Sequence, residues 1–377
     1  MKRFFLLLIV ICMMFSTGCS TINSLSANYR EIEQLRLVHT IGFDTNKDGL
    51  ELSVCAGEQK NQGLTRLSAS GLNISDTLAT LQNYSNKEEL YYAHTRYVLV
   101  GEEYAKQGLE DVLEYLESSN QLRSDLPIFI VRGGNASDLV LNAGGKEHGI
   151  YEVLEAVIRD CTQRGDSYPY TCGDIACFSA EYGSALACVL TATPTKEIDP
   201  SAEDKDLTPV VSGYGILKDG KLVGYISEDS AQCINLLLGE LGTGDVTVEL
   251  NGQPVSLRIK KAETSLKPSF GPAGTMTELT VGLTIEATME EAEKKDKQDT
   301  EKLNYYLEEV ITGWLNDILL AMHNTGCDFL GFGPQIAITH TKQWENNPVS
   351  WESQLKTLPM NAEVQCKITL GENEQRR

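Results

Sequence analysis

The sequence predicts an α+β fold: a two-part ectodomain of antiparallel and mixed sheets with packed helices, behind a lipoprotein signal peptide. Three observations lead there. Short runs of alternating apolar residues are joined by Asp-Gly turns, a hairpin signature, at Asp48-Gly49 and Asp219-Gly220. Between these runs lie segments whose apolar residues repeat at helical spacing. The stretch 194–207 holds Pro194, Pro200 and a crowd of charged residues without apolar periodicity, and it divides the chain. Hairpins mixed with helices, instead of strict strand–helix alternation, define the α+β class.

The N-terminal part, 29–193, opens with strands expected at 37–43 and 50–56. Ser75 is placed to cap a helix over 76–84. A strand over 94–101, a helix over 109–116 and a buried strand over 127–131 follow. Ile150, Val153, Leu154, Val157 and Ile158 share one helical face, and 185–191 reads as a strand. This part is open to further subdivision. After the linker 194–207, the C-terminal part, 208–377, starts with a hairpin of 210–217 and 221–226. A helix over 231–241 and strands near 246–250, 256–260 and 279–286 come next. Beyond the charged stretch 290–302, Leu303, Leu307, Val310, Ile311, Trp314, Leu315, Ile318 and Met322, with Tyr306 and Leu319, keep i, i+3, i+4, i+7 spacing. Gly326 ends that helix and 362–370 is the closing strand.

Residues 1–18 carry the zones of an export signal. Lys2 and Arg3 precede the apolar run Phe4–Phe15, which as a helix would rise only about 18 Å, against ~30 Å for a bilayer core. The following Ser16-Thr17-Gly18-Cys19 resembles the lipobox of bacterial lipoproteins, although Ser16 stands where Leu is usual. That resemblance implies a diacylglyceryl group on Cys19, with 19–28 as a lipid-anchored tether. Ordinary secretion, with cleavage near Ser26 or Ala27, is the alternative.

Composition narrows the function. With 53 Asp+Glu against 32 Lys+Arg the net charge is −21, a field that repels nucleic acid. Ten cysteines include a cluster at Cys161, Cys172, Cys177 and Cys188. Its spacing has one tight pair where zinc wants two; one or two disulfides there are the alternative to free thiols, which a reducing habitat would leave. Cys55, Cys188 and Cys366 sit in strand-like runs, where cysteine acts as a small buried hydrophobe. Asp44-x-Asn46-x-Asp48-Gly49 opens like a calcium loop, but the twelfth position is Cys55, and a hairpin explains the same residues. Gly145-Lys146 lacks the glycine of a phosphate loop, and Gly239 to Gly244 has the wrong order for a dinucleotide fingerprint. His39, His94, His148, His323 and His340 never fall at metalloprotease spacing, and no serine elbow is present. Acidic pairs such as Glu88-Glu89 and Glu102-Glu103 read as solvated surface. No catalytic residue, metal or cofactor is assigned, and ligand-binding residues are unknown.

Several segments resemble, in order, the Ger(x)C family, the C-subunit lipoproteins of spore germinant receptors. They are Tyr29 to Leu35 running into Thr40-Ile41-Gly42-Phe43-Asp44; His94 to Glu103, with Gly108-Leu109 and Leu122-Arg123; Gly213 to Tyr225; and Cys327 to Gly333, followed by Trp344 and Trp351. The Trp-Asp that family places beside the lipid cysteine is missing. The resemblance implies a non-enzymatic subunit on the outer face of the spore inner membrane, assisting receptor assembly or signalling. Its partners would be integral membrane receptor subunits of the A and B types, with the lipid anchor on the membrane and no nucleic acid. A solute-binding lipoprotein of an import system is the rival, and it would show alternating strand–helix units.

Overall fold

The computed structural model describes residues 35–47, 49–57, 63–85, 88–145, 148–239, 244–250, 252–272, 274–289, 297–347 and 349–370. The signal peptide, Cys19 and the tether lie outside the described residues, as do Asp48 and 240–243.

Two sheets form the framework, and the α+β expectation holds. Strands β1 (Leu35–Asn46) and β2 (Gly49–Gly57) are the first hairpin, and β3 (Thr65–Gly71) adds antiparallel to β2. Helix α1 (Ile74–Tyr84) then leads to the short β4 (Glu89–Tyr91) and to β5 (Tyr97–Gly101). Its cap is Asn73, whose side chain accepts from Asp76 N; Ser75 is already inside the first turn. Helices α2 (Glu102–Gln107) and α3 (Glu110–Ser118) connect to β6 (Ile128–Arg132). Three more, α4 (Ala136–Asn142), α5 (Ile150–Arg164) and α6 (Cys172–Tyr182), connect to β7 (Ser184–Pro194). Strands β1, β5, β6 and β7 are mutually parallel, so strand–helix crossovers do occur at the centre of this half.

The central strands show why an unbroken apolar run belongs in a parallel sheet, where both faces are covered. In β5 and β6, Val98, Val100, Ile128 and Ile130 join one core, while Tyr97, Leu99, Phe129 and Val131 join another on the opposite face. The first core continues without a break through the C-terminal half.

The stretch read as a linker joins two paired strands. Strand β8 (Leu207–Lys218) runs antiparallel to β7 and carries on the same sheet, followed by β9 (Lys221–Ile226). Asp219 and Gly220, both at positive φ, make the tight turn between β8 and β9. Helix α7 (Glu228–Leu238) leads into the second sheet: β10 (Gly244–Leu250), β11 (Gln253–Phe270), β12 (Met276–Met289) and β13 (Met360–Leu370) in that order. Strand β11 is far longer than its expected five residues, because Lys261 to Phe270 alternate exposed and half-buried, with Ala262, Leu266 and Phe270 only partly covered and polar residues between them.

Helix α8 (Lys297–Thr325) crosses between the parallel β12 and β13. Leu303, Leu307, Ile311, Leu315, Ile318 and Met322 are fully buried, whereas Tyr306 of the same expected stripe is 37% exposed. The helix also closes the sheet edge. Asn304 and Glu308 accept hydrogen bonds from Ile368 N at 2.8 Å and Cys366 N at 2.9 Å. Alternate N–H groups of an edge strand point outward, so residues four apart on a helix can satisfy two of them. Truncating Leu315 to Ala would leave a cavity under this helix, and urea unfolding should show a loss of roughly 2–5 kcal/mol.

Candidate functional site

Two buried carboxylates organise the segments that look most distinctive in the sequence. Asp44, 2% exposed at the end of β1, accepts from Ala136 N at 2.7 Å and Ser137 N at 2.8 Å, the first turn of α4. A carboxylate there meets orphan N–H groups and the positive end of the helix. Burial pushes its pKa up against the pull of those donors. Two residues earlier, a Cβ on Gly42 would press within 3.1 Å of Ala136 and Val140, so glycine lets β1 approach the helix. The side chain therefore serves a helix, and a calcium loop loses its first ligand.

The second carboxylate, Asp328, is 4% exposed and takes three donors. Phe332 N and Gly333 N, opening α9 (Phe332–Thr339), lie at 2.8 and 2.6 Å, and Trp351 Nε1 lies at 2.7 Å. Trp351 opens α11 (Trp351–Leu355), after α10 (Thr341–Glu345), so Asp328 ties the late loop to a segment 23 residues on. A side chain on Gly333 would collide with the Trp351 ring. Burial raises the Asp328 pKa above the ordinary aspartate value, opposed by all three donors.

A polar network fastens α7 to the N-terminal half. Tyr214 on β8 accepts from Tyr168 N at 2.6 Å and donates to Asn235 Oδ1 at 2.5 Å. Asn235 Nδ2 donates to Gly165 O, and Gln232 Nε2 bridges Arg164 O and Asp245 O. Burial holds the Tyr214 hydroxyl well above its ordinary pKa, which keeps it a neutral donor. Sequence reading missed this network; its signal was Gln232 and Asn235 among the apolar residues Ala231 to Leu238.

The remaining candidates scatter. His39 packs at a tilt against Tyr151, ring centroids 4.3 Å apart, near His94 and Arg96, while His148 bonds Glu152 and His340 meets Phe270. Gly145 and its neighbours turn carbonyls inward: Arg66 of β3 donates to Ala143, Gly145 and His148 O. A loop presenting carbonyls cannot cradle phosphate. Glu102 is half-buried, bonded to Gly133 N and paired with Lys106, so it is less solvated than expected. All eight described cysteines are free thiols, and burial raises the pKa of Cys172 and Cys188 to about 12. No group of three His, Cys, Asp or Glu among the described residues could hold a metal ion.

The comparisons with known proteins follow these segments. Residues 28–192 match the family model described as the spore germination protein N-terminal domain, and 212–370 match that of the spore germination B3/GerAC-like C-terminal domain. The chain belongs to the spore germination B3/GerAC-like family. It is 22% identical over 291 residues to spore germination protein B3 of Bacillus subtilis (strain 168), covering 74% of each chain. It also resembles a solved structure titled "Crystal Structure of the GerBC protein", with a TM-score of 0.57 at 18% identity, over 90% of this chain and 99% of that one. At that identity the likeness shows the fold. The Ger(x)C resemblance thus stands, and the family's role is in spore germination. The boundary between its two domains falls where β7 passes to β8, inside one sheet.

Replacing Asp328 by Ala should cost roughly 3 kcal/mol in urea unfolding, since three donors lose a buried acceptor; Trp351→Phe should cost about 1 kcal/mol. His39 gives a pH test. Desolvation lowers its pKa below the ordinary value, outweighing a backbone hydrogen bond at His94 that raises it, and the Arg96 charge adds to the lowering. The unfolded chain then takes up the proton first, so stability falls as pH drops below ~6.5. His39→Gln should flatten the slope of unfolding midpoint between about pH 7 and about pH 5, and an unchanged slope would exclude His39 as its source.

Proposed function

We propose that this chain is a non-enzymatic lipoprotein subunit of a nutrient-germinant receptor, assisting its assembly or signalling. The observation that carries the reading is the ordered match of both family domains across the chain. The site geometry supports it. Asp44 and Asp328 are sealed off and committed to helix N-termini, so neither is available for acid–base work. What such a protein offers a partner is its shaped exterior.

On this reading a diacylglyceryl group on Cys19 tethers the domain to the outer face of the spore inner membrane. Two acyl chains hold firmly where one would exchange. Among the described residues no helix is long and apolar enough to cross a membrane. Its partners would be the integral membrane subunits of the same receptor.

The test is genetic and biochemical together. Spores lacking this chain should fail to germinate with at least one nutrient, and a Cys19→Ala chain should leave the inner-membrane fraction and rescue poorly. Normal germination of the deletion strain with every nutrient would overturn the reading. An unmodified Cys19 by mass analysis of the membrane-extracted chain would remove the anchor.

A further inference from the structure

We propose that the cleft between α3 and the entry to α1 binds a small organic cation, an ammonium group on a short apolar stem. The cleft measures about 620 Å³, within the range of ~300–1,000 Å³ typical of small-molecule sites. It lies where the end of the β1–β2 hairpin, the turn from β3 into α1, and helices α2 and α3 come together.

The lining fixes the sign of the ligand's charge. Asp111 and Glu114 stand on the α3 wall, and neither has an ion-pair partner among the described residues. Helix α3 carries no basic residue at all, and no Lys, Arg or His among the described residues lines the cleft. At the α1 entry, donors that could meet an anion are already taken up by the chain's own side chains. Asn73 Oδ1 already takes Asp76 N at 2.9 Å, and Asp76 Oδ2 takes Leu72 N at 3.0 Å.

The lining also fixes the ligand's body. Tyr104 and Tyr115 both belong to the lining, and aromatic rings beside carboxylates attract ammonium groups. Burial, with the Asp111 charge beside it, raises the Tyr104 pKa to about 12, so its hydroxyl stays neutral. Leu50 and Ile74 form an apolar floor, and Leu72, 86% exposed, stands on the rim where a stem could cover it. The carboxylates would hold the head and the floor the stem, a division common to small-molecule sites.

The test uses the full-length chain in non-ionic detergent micelles, with saturation-transfer NMR on n-hexylammonium, n-hexanol and n-hexanoate. Hexylammonium should bind best and hexanoate not at all, with added salt weakening the amine. Asp111→Asn combined with Glu114→Gln should weaken the amine about five- to ten-fold and leave the alcohol unchanged. Both side chains are exposed, so the double variant should keep its melting temperature; the difference between the two proteins also removes uptake by micelles. Equal binding of amine and alcohol, or undiminished amine binding by the double variant, would overturn the proposal. Binding of an oligolysine peptide but not of the free amine would overturn it too, by replacing a small ligand with a protein segment.

Discussion

Strand β8 is the constraint on which the molecule turns. It pairs with β7 along its length and with β9 along its second half, and Tyr214, Ile216 and Leu217 within it are almost fully buried. A strand with partners on both edges and cover on both faces has no freedom to separate from either. Its Tyr214 hydroxyl then reaches across to α7 and to the loop after α5. The two family domains are therefore continuous in hydrogen bonding and in apolar core. Breaking them apart would expose ladder groups, each of which costs about 1–3 kcal/mol when left unpaired.

Asp44 and Asp328 show one solution used in both halves. Each lies near a glycine that admits a close approach, and each gives its oxygens to the backbone of a following helix. Burying a carboxylate is unfavourable unless donors surround it. Here the donors belong to short helices, α4 and α9, of seven and eight residues, which lack the length to be stable alone. The carboxylates thus hold in place helices that local propensity could not. Motifs that look like sites in the sequence are joints in the fold.

Legibility in the sequence followed the strength of the local signal. Both hairpins, the helix carrying Leu307 and Ile311, and the buried strand at Ile128 were readable, since apolar periodicity and Asp-Gly turns speak directly for them. Strand β3 was not, because Thr65-Arg66-Leu67-Ser68 has no alternation beyond Leu67 and Ala69. Its pairing depends on β2, and its Arg66 on carbonyls 77 and more residues away. Helix α6 was hidden by its cysteines, which drew attention as sulfur chemistry, yet Thr171 and Asp174 form a capping box at its start. The segment 194–207 lacks apolar periodicity, but such a stretch can separate domains or join two paired strands, as it does between β7 and β8. The Asp328–Trp351 contact was out of reach for the same reason as β3: its partners are brought together only by the fold.

The acidic surplus has a positional consequence. Asp44 and Asp328 are the only buried acidic residues among those described, so the acidic surplus behind the net charge of −21 lies almost wholly on the exterior there. A domain tethered at Cys19, as proposed, would be pushed away from anionic headgroups within a Debye length, ~8–10 Å at physiological salt. It would stand off the membrane on its tether and meet neighbours through its sides. Strand addition at β13 is closed to those neighbours, since Asn304 and Glu308 already occupy two of its outward N–H groups. Association at that edge must then run through side chains, and against so acidic a surface the complementary face is a basic one.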